Sequence, residues 1–367
     1  MFSRNMRHDV HKDWAGRARR PASSLKSSQT ATALLSTPIF FALALLFSGC
    51  SSFYAIPLRF SSASAHTALT SSSNTIAMIT QPIASSGCGK PAPSTPGVST
   101  MSSINVSGMT RYYLLHIPFG YRDTVPYPLV LNFHGHGSNA RQQQYRTGFS
   151  TLADRYHFLV AYPQGVIGPD HHTGWAIGPR WDPHVNDVLF TADLLNRLQA
   201  TICVNPARIY VTGFSNGGGM TNLLACKLAG RVAAFASVSG SYPSVPGGCH
   251  PARPVPLLEI HGTGDQVVPY GGSLRKGYPP IAFWLQGWVL RDGCSTVPSI
   301  FLNKDGLLGE EWTCRNNAVL IHYRVRGMPH MWPLHYVLYS RGSSLTFDAS
   351  NIIWNFFNHY TLSATIK

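Results

Sequence analysis

The sequence predicts an α/β fold with a mostly parallel central sheet and helices on both faces. Short apolar runs with the character of buried strands alternate along the chain with longer helix-like stretches, an order typical of a parallel sheet. The helix-like stretches are residues 187–202, 281–290 and 351–360. Roughly 280 residues follow Cys88, about the size of one such domain, and no internal repeat is visible. We therefore expect one domain with a large core.

A candidate nucleophile stands between a predicted strand and a predicted helix. Residues 209–212 are an apolar run, residues 220–228 have the character of a helix, and Gly213-Phe214-Ser215-Asn216-Gly217 joins them. In this G-x-S-x-G pattern a sharp turn exposes the middle side chain, and the flanking glycines let the backbones pass closely. Since the pattern also arises by chance in a Gly- and Ser-rich chain, its position between strand and helix carries the assignment of Ser215 as nucleophile.

Two partners that a nucleophilic serine needs follow it in the chain. A base takes the hydroxyl proton and a buried carboxylate orients the base, and in α/β-hydrolases the order is Ser, then Asp or Glu, then His. Asp265 follows the apolar run 256–260, and His330 lies in a Gly- and Pro-framed loop after the run 319–324. Ligands of open α/β sheets bind at the carboxyl ends of strands. This order predicts a Ser215–Asp265–His330 triad in a single α/β-hydrolase domain.

Each partner has an alternative explanation when it is considered alone. Asp265 could be a turn residue in a Gly-rich loop, and His330 could be an ordinary surface histidine. Asp187 and Asp292 are rival carboxylates, but Asp187 precedes the serine and Asp292 lies at a predicted helix end. Three separate signals in the right order favour the triad over these alternatives.

The loop after another strand predicts the oxyanion hole. Residues 127–133 form an apolar run, and His134-Gly135-His136-Gly137 follows it directly. In α/β-hydrolases one oxyanion donor comes from the loop after the third strand and the other from the residue after the nucleophile. The backbone amides of His136 and Asn216 are therefore the predicted donors.

A metal site is the alternative explanation for the histidines of this loop. His134 and His136 are two residues apart, and His171 and His172 follow later in the chain. No Cys, Asp or Glu lies at the spacing of a further metal ligand beside these histidines, and the alternating glycines explain the sequence of the loop without a metal. We therefore predict no metal and no cofactor.

These motifs resemble those of the polyhydroxybutyrate depolymerase and feruloyl esterase family of secreted α/β-hydrolases, which includes carbohydrate-esterase relatives. The resemblance covers most of residues 88–360, and the serine motif and the His330-Met331-Trp332-Pro333 stretch are its most specific parts. The other matching stretches are 88–90, 111–113, 128–135, 174–175, 187–188, 253–256 and 261–262 with Asp265. The resemblance implies ester hydrolysis through an acyl-enzyme, without a cofactor.

The resemblance leaves the substrate open. Feruloyl esters of plant cell-wall xylan are the first expectation. Family members that attack solid polyester commonly append a substrate-binding domain after the catalytic domain, whereas this sequence ends at Lys367, just past its last predicted helix. Polyhydroxybutyrate or another short-chain polyhydroxyalkanoate, and acetyl groups on xylan, are alternatives. A serine peptidase and a non-catalytic wall-binding protein on the same scaffold are further alternatives, and the last of these is expected to lack a triad member.

Three aromatic residues are candidates for the walls of a substrate pocket. Trp175, Tyr270 and Trp332 could line a pocket for an aromatic or short acyl group, although aromatic side chains near a cleft more often serve packing. Residues 165–184 form an insertion rich in Gly, Pro, His and Trp. This insertion is either a loop over the substrate or a long surface loop.

The first 50 residues predict an export signal or lipoprotein leader. Residues 1–30 carry seven Lys or Arg and two Asp, and residues 31–47 are almost wholly apolar but short for a transmembrane span. The stretch that ends in Ser48-Gly49-Cys50 resembles a lipoprotein box, so Cys50 is a candidate lipidation site. Cleavage near residues 63–65 and an uncleaved anchor are alternatives, and all of them place the domain outside the cell or on its surface.

The exported chain is expected to divide into a tether and a catalytic domain. Residues 51–104 are rich in Ser, Thr, Ala and Pro, and Arg59 is their only charge before Lys90. Such a segment buries too little apolar surface to fold. We expect little structure before about Met109 and place the catalytic domain at residues 105–367, with Cys88 as a tie for the N-terminal arm.

The cysteine content supports export. Apart from Cys50 an even set remains, which outside the cell is typical of disulfides: Cys88, Cys203, Cys226, Cys249, Cys294 and Cys314. Six cysteines allow 15 pairings, and Cys294 with Cys314 is the first expectation. Cys226, in the helix after the nucleophile, could equally be a buried free thiol.

The net charge does not indicate a nucleic-acid partner. The whole chain carries a formal charge of +14, but from Cys88 onward it has 21 Lys or Arg and 13 Asp or Glu, a net charge of +8. These charges are spread without a basic run or stripe, whereas nucleic-acid binding requires a clustered basic face. The partner that we expect is an ester substrate, and the oligomeric state stays open.

Overall fold

The protein is built around one large β-sheet. The computed structural model describes residues 83–179, 181–182, 184–340 and 343–362. In these residues the strands are β1 Ser99–Val106, β2 Met109–His116, β3 Tyr127–Phe133, β4 Leu159–Pro163, β5 Val166–Ile167, β6 Thr173–Gly174, β7 Val204–Phe214, β8 Ala234–Val238, β9 Leu257–Gly262, β10 Ser299–Lys304, β11 Leu307–Thr313, β12 Val319–Val325, β13 Tyr336–Ser340 and β14 Ser343–Phe347. Ten of them form the large sheet, and β5 with β6 and β13 with β14 form two separate hairpins.

The centre of the sheet is parallel. The strand order is β1-β2-β4-β3-β7-β8-β9-β12-β11-β10. The six strands from β4 to β12 in this order run parallel, and antiparallel strands complete both edges. Every residue of β3, β4, β8 and β9 is buried, as expected for parallel strands covered on both faces. The predicted, mostly parallel sheet is confirmed.

Helices cover both faces of the sheet, as predicted. They are α1 Ala140–Thr147, α2 Phe149–Tyr156, α3 Asp187–Thr201, α4 Asn216–Lys227, α5 Ile281–Asp292 and α6 Ala349–Phe357, with short 3-10 turns at Leu274–Lys276 and Arg315–Asn317. Buried side chains of α3, α4 and α5 belong to one apolar cluster, and those of α1, α2 and α6 belong to another. Neighbouring residues of a strand contribute to opposite clusters, for example Leu129 and Val130 of β3.

The predicted boundary at residue 104 is wrong. β1 pairs with β2 along its whole length, so the sheet begins inside the segment 51–104 that composition predicts to be a tether. Alternate residues of β1 are exposed, and only Val106 is fully buried. An edge strand with one solvent-exposed face has few apolar residues. Its composition therefore resembles that of a linker, although its backbone is paired.

The arm before β1 is joined to the domain at Cys88, as expected. Cys88 forms a disulfide with Cys203, between α3 and β7. The amide N of Ser85 donates to Val204 O at 3.0 Å, and that of Gly87 donates to Gln199 O at 2.8 Å. The arm is therefore held covalently and by backbone hydrogen bonds.

Two further disulfides complete the set among the described residues. Cys294 pairs with Cys314, which confirms the expected bridge, and Cys226 pairs with Cys249. The alternative of a free thiol at Cys226 was wrong. The Cys294–Cys314 bridge links the end of α5 to the end of β11, just before the strand that leads to His330.

The leader and its cysteine lie outside the described residues. The predicted signal, the lipoprotein box and Cys50 all fall within residues 1–82, so their assignments stay predictions. Within the part of the chain that the structure describes, no helix has the length and apolar character to span a bilayer.

We expect the double replacement Cys294→Ser with Cys314→Ser to lower the free energy of unfolding by about 2–4 kcal/mol, because it frees a loop of the unfolded chain. Urea unfolding of the full chain with and without the replacement measures this difference. An unchanged urea midpoint would contradict the expectation. The same replacement should leave the separate Cys88–Cys203 bridge intact, which mass spectrometry can verify.

Candidate active site

Ser215 adopts a strained backbone conformation at the turn between β7 and α4. Its φ of 57° and ψ of −117° lie outside the regions favoured for residues with a side chain. Backbone hydrogen bonds hold this conformation: its N donates to Val238 O at 3.0 Å, and its O accepts from the amides of Gly219 and Ser241. The hydroxyl is thereby fixed at the carboxyl end of β7, as a nucleophile in this turn requires.

Two glycines make this turn possible. A Cβ at Gly213 would collide with Gly217 O, and a Cβ at Gly217 would collide with Phe133 O on the neighbouring strand. The spacing of the G-x-S-x-G motif is therefore imposed by direct contact between β3, β7 and α4. Any larger residue at either position would push α4 away from the sheet.

The three residues of the predicted triad lie in hydrogen-bonding contact. His330 Nε2 is 2.9 Å from Ser215 Oγ, and His330 Nδ1 is 2.7 Å from Asp265 Oδ2. The imidazole also packs against the Phe214 ring, with centroids 4.8 Å apart. Because Nδ1 faces a carboxylate it carries the proton, which leaves Nε2 to accept the proton of the serine hydroxyl.

Asp265 closes its own turn and faces His330 at the same time. Its Oδ1 accepts hydrogen bonds from the amides of Val267 and Val268 at 2.9 and 2.8 Å, the pattern of an aspartate turn. Its Oδ2 faces His330 and lies 3.4 Å from His261 Nε2. Burial raises the pKa of Asp265, but these hydrogen bonds outweigh burial and hold its pKa well below the ordinary value. The side chain is therefore an oriented carboxylate.

The rival carboxylates serve other contacts. Asp187 pairs with Arg111 Nη2 at 2.6 Å and accepts a hydrogen bond from the Ala176 amide. Asp292 accepts a hydrogen bond from the Val255 amide, and burial raises its pKa to about 6. Each of these side chains stabilises a junction away from Ser215.

The loop after β3 passes directly beside the nucleophile. A Cβ at Gly135 would lie 3.3 Å from Ser215 Cβ, and His136 is the next residue. Among the described residues the His136 amide has no backbone acceptor. Asn216 is the first residue of α4, so its N–H has no acceptor within the helix. Both predicted oxyanion donors therefore lie near Ser215, and neither amide donates to a backbone acceptor in the part of the chain that the structure describes.

Trp175 holds this loop and does not line a pocket. Its side chain is 0% exposed, and its Nε1 donates to His134 O at 2.8 Å. Its backbone is joined to the Asn216 side chain, whose Oδ1 accepts from Trp175 N at 2.7 Å. The prediction that Trp175 is a pocket wall is wrong: its buried indole binds the loop after β3, and its backbone amide binds the side chain of Asn216.

His134 is a neutral, buried residue that fixes the same loop. Its Nε2 accepts from the Gly165 amide at 2.9 Å, so its Nδ1 carries the proton and donates to Gly135 O at 2.7 Å. Burial lowers the pKa of His134 to about 4, which keeps the ring in this form at neutral pH. His134 therefore has a structural role in the loop.

The other two predicted pocket aromatics also belong to packed regions. Trp332 is 3% exposed and donates through Nε1 to Ser350 Oγ at 2.9 Å, so it is a core residue. Tyr270 is half-buried, and its hydroxyl lies 2.9 Å from His322 Nε2. The prediction that Trp332 is a pocket wall is wrong. The Tyr270 hydroxyl contacts His322, a residue of the buried cluster behind Asp265.

A different tryptophan lies near the predicted oxyanion hole. Gly174 sits between Asn216 and Trp181: a Cβ at this glycine would lie 3.0 Å from Asn216 Oδ1 and 3.1 Å from the Trp181 ring. Trp181 is half-buried and belongs to the insertion at residues 165–184. The Trp-rich composition of that insertion was the available signal, but composition does not reveal which indole approaches the site.

A buried polar cluster lies behind Asp265. Glu259 and His261 share one face of β9, and His322 of β12 pairs with Glu259 across the sheet. Glu259 Oε1 is 2.9 Å from His261 Nδ1, and Glu259 Oε2 is 2.7 Å from His322 Nδ1. All three side chains are fully buried. Glu259 and His261, two polar residues at alternate positions of an otherwise apolar strand, were the sequence signal for this cluster, but the cluster was not predicted.

The expectation that no carboxylate accompanies the loop histidines is also wrong. Asp170, in the turn between β5 and β6, lies with its Oδ2 2.7 Å from His136 Nε2, and His172 completes the group. Asp170 lies two residues before His172 in the chain, so the sequence already showed this carboxylate, whereas the approach of His136 from 34 positions away could not be seen in it. His134 is not a member of this group.

Comparison with known proteins shows which family the chain resembles. A family model described as "Esterase PHB depolymerase" matches residues 111–260. The chain is 34% identical over 198 residues to "Feruloyl esterase B" of Piromyces equi, which covers 51% of this chain and 37% of that protein. It is 32% identical over 222 residues to "Probable feruloyl esterase C" of Aspergillus terreus, which covers 58% of this chain and 71% of that protein.

The chain belongs to the polyhydroxybutyrate depolymerase and feruloyl esterase family. It spans between a fifth and two thirds of the length of four curated relatives at 32–34% identity. A solved acetyl xylan esterase from Aspergillus awamori shares the fold, with a TM-score of 0.52 and 14% identity over 71% of this chain and 99% of that one. The resemblance noted from the motifs is confirmed, and so is the α/β-hydrolase fold.

We expect Trp175→Phe to lower kcat by roughly 10- to 100-fold, because it removes the hydrogen bond that fixes His134 O and so loosens the loop beside Ser215. Ester hydrolysis by the purified variant measures the effect.

Trp288→Phe is the matched control for this replacement. Trp288 is equally buried and also donates through its indole, to Asn222 Oδ1 at 3.0 Å, but it lies on α5. It should lower stability without a comparable loss of kcat. Equal losses of kcat in the two variants would show that Trp175 acts only through general packing.

Proposed function

We propose that this member of the family is a serine carboxylic ester hydrolase that works through an acyl-enzyme. The observation that carries the proposal is the continuous contact from Ser215 Oγ through the His330 ring to Asp265. The strained backbone of Ser215 and the amide-bound carboxylate of Asp265 add support, because both are features of a site that activates a hydroxyl.

In the first half-reaction His330 Nε2 takes the proton of Ser215 Oγ as the oxygen attacks the ester carbonyl carbon. Asp265 holds the His330 Nδ1–H and stabilises the imidazolium that forms. The amides of His136 and Asn216 receive the developing oxyanion in this proposal. Collapse of the tetrahedral intermediate breaks the ester bond, and His330 returns the proton to the leaving alcohol.

The second half-reaction releases the acid. Water enters, gives one proton to His330 Nε2 and attacks the acyl carbon with its oxygen. The acyl–Ser215 bond then breaks, and the proton returns to Ser215 Oγ. No further reactant is needed, since acid and alcohol together contain the atoms of the ester and one water molecule.

Feruloyl esters of plant cell-wall polysaccharide are the proposed substrate class. The relatives from Piromyces equi and Aspergillus terreus carry feruloyl esterase names, which supports this choice. The half-buried Trp181 beside Asn216 is a candidate surface for an aromatic acyl group. Polyhydroxybutyrate or short-chain polyhydroxyalkanoate is the second candidate because of the matched family description. Acetyl xylan hydrolysis is a further alternative.

We propose that the enzyme acts outside the cell or on its surface. Three disulfides among the described residues favour an oxidising compartment. Lipidation of Cys50 and cleavage of the leader belong to the same proposal and rest on the sequence alone. The serine peptidase alternative shares the triad chemistry, whereas the presence of all three triad side chains argues against a non-catalytic binding protein.

We expect Ser215→Ala to lower ester turnover by ~10⁶-fold while the fold is kept, because the nucleophile and its base act as a unit. Release of ferulate from methyl ferulate, of acetate from acetylated xylan, and of hydroxybutyrate from amorphous polyhydroxybutyrate should be measured side by side. The full chain, Ser215→Ala and Ser295→Ala are compared, and the last is an exposed serine that serves as control.

The outcomes separate the alternatives. Ferulate release that only Ser215→Ala abolishes supports the proposed substrate class, and polyester hydrolysis with the same dependence supports the second candidate. Unchanged turnover in Ser215→Ala would refute the serine mechanism. Inactivity of the intact chain on all three esters, with cleavage of a peptide substrate, would favour the peptidase alternative.

A further inference from the structure

We propose that His136, Asp170 and His172 bind one divalent transition-metal ion of the Zn²⁺ class. One ligand atom from each of these side chains lies within 4.8 Å of the others. His136 Nε2 is 2.7 Å from Asp170 Oδ2, and the His136 and His172 rings have centroids 5.3 Å apart. Small rotations of these exposed side chains would place all three ligand atoms roughly 2 Å from one central ion, the distance that zinc requires.

The hydrogen bonds of His172 prepare it as a ligand. Its Nδ1 lies 2.8 Å from Asp170 O, and a carbonyl oxygen only accepts, so Nδ1 carries the proton. Its Nε2 therefore presents a lone pair. Histidine ligands of metals commonly donate their other ring N–H to a carbonyl or carboxylate in this way.

The charges and donor types favour zinc over the hard cations. The site offers one carboxylate and two imidazole side chains. Imidazole suits Zn²⁺, Cu²⁺ and Ni²⁺, whereas Ca²⁺ and Mg²⁺ take oxygen ligands.

The ion would join two separate loops. His136 lies in the loop after β3, and Asp170 and His172 lie in the turn between β5 and β6. In the absence of metal one hydrogen bond from His136 to Asp170 connects these side chains, and both are largely exposed. Three metal bonds would hold the turn against the loop beside Ser215. Metal binding itself does not depend on the proposed esterase activity.

Isothermal titration of the full chain with Zn²⁺ at neutral pH tests the site. We expect one ion per chain, and we expect Asp170→Asn and His172→Ala each to weaken binding at least tenfold. His171→Ala is the matched control, because this exposed histidine is adjacent to His172 and outside the cluster. Because protons compete with a metal ion for imidazole and carboxylate ligands, binding should weaken as the pH is lowered.

A second readout follows the loops directly. Zn²⁺ should raise the thermal midpoint of the intact protein and of His171→Ala, but not that of His172→Ala. The Ser215→Ala protein should bind Zn²⁺ like the intact chain, which separates this proposal from the esterase proposal. Equal weakening in His171→Ala and His172→Ala, or no uptake at millimolar Zn²⁺, would overturn the site.

The cluster behind Asp265 leads to an independent inference, which rests on the proposed triad. We infer that His261 is a buried imidazolium ion and a positioning residue for Asp265. Its Nε2 lies 2.9 Å from Val268 O and 3.4 Å from Asp265 Oδ2, and its Nδ1 lies 2.9 Å from Glu259 Oε1. A carbonyl and two carboxylates face the ring, so both nitrogens need a proton to hydrogen-bond.

The surroundings of Glu259 favour the ionised carboxylate. Besides His261, the Tyr242 hydroxyl donates to Oε1 at 3.3 Å and His322 Nδ1 lies 2.7 Å from Oε2. Burial would raise the pKa of Glu259, but the two imidazoles outweigh it and lower the pKa. Burial likewise lowers the pKa of His261, but the adjacent carboxylates outweigh it and raise the pKa.

Asp265 consequently lies between two imidazole rings. His330 approaches its Oδ2 from the side of the nucleophile, and His261 approaches the same oxygen from the core. The titratable groups around His261 are Glu259, Asp265, Tyr270, whose ring meets it edge-on, and, beyond Glu259, Tyr242 and His322. The inner positive charge keeps Asp265 ionised and fixes the oxygen that orients His330.

The protonation state can be measured on the intact protein. Nitrogen-15 NMR of histidine-labelled protein at pH 7.5 should show protons on both ring nitrogens of one buried histidine, and the signal should disappear in His261→Gln. A neutral His261 ring at that pH would overturn the inference. This measurement does not depend on activity and therefore remains decisive if esterase activity is absent.

Kinetics test the positioning role. His261→Gln should lower kcat about tenfold with little change in KM, and it should move the acid limb of kcat/KM to higher pH by roughly half a unit, since a positive charge near the triad is lost. His322→Gln is the control: it changes the same buried cluster but has no contact with Asp265. A shift of the acid limb that is equal in both variants would overturn the role of His261.

Discussion

The contact between β3, β7 and α4 is the constraint on which the rest of the site depends. These backbones approach so closely that only glycine fits at residues 213 and 217, and this approach forces the turn at Ser215. The sheet order β7-β8-β9-β12 then brings the ends of β9 and β12 to the same edge. Asp265 and His330 follow those two ends. The geometry of the proposed triad therefore follows from the strand order together with the turn at Ser215.

Behind this edge the protein keeps charged and polar groups inside an apolar sheet. Glu259 is paired from both sides by His261 and His322, and each oxygen of Asp265 has its own donors. Isolated, such groups would be costly to bury, but here the carboxylates of Glu259 and Asp265 lie close to imidazole rings, and Asp265 also accepts backbone hydrogen bonds. The same arrangement gives the proposed triad a rigid inner support that side-chain packing alone would not provide.

Predictions from the sequence succeeded where a local pattern of residues determines the structure. They were wrong where the structure depends on contacts between segments that are distant in the chain. Strand and helix periodicity identified the parallel sheet, and chain order identified the residues around Ser215. The roles of Trp175 and Trp332 depended on burial, which their positions in loops do not reveal. The His136–Asp170 contact depends on how a hairpin turn lies against a loop. β1 was assigned to the tether because an edge strand and a linker share the same composition.

The disulfide pattern has a consequence for how the chain matures. Counting from Cys88, the six cysteines pair in chain order: the first with the second, the third with the fourth and the fifth with the sixth. A polypeptide that crosses a membrane from its N-terminus and is oxidised as it emerges would form these pairs in order, without later reshuffling. Cys50 is the exception, because it emerges first. Left as a free thiol, it would be available to Cys88 before Cys203 emerges and would compete for that pairing. Under the proposed export, blocking or removal of Cys50 before Cys88 reaches the oxidising side would therefore favour the observed pairing.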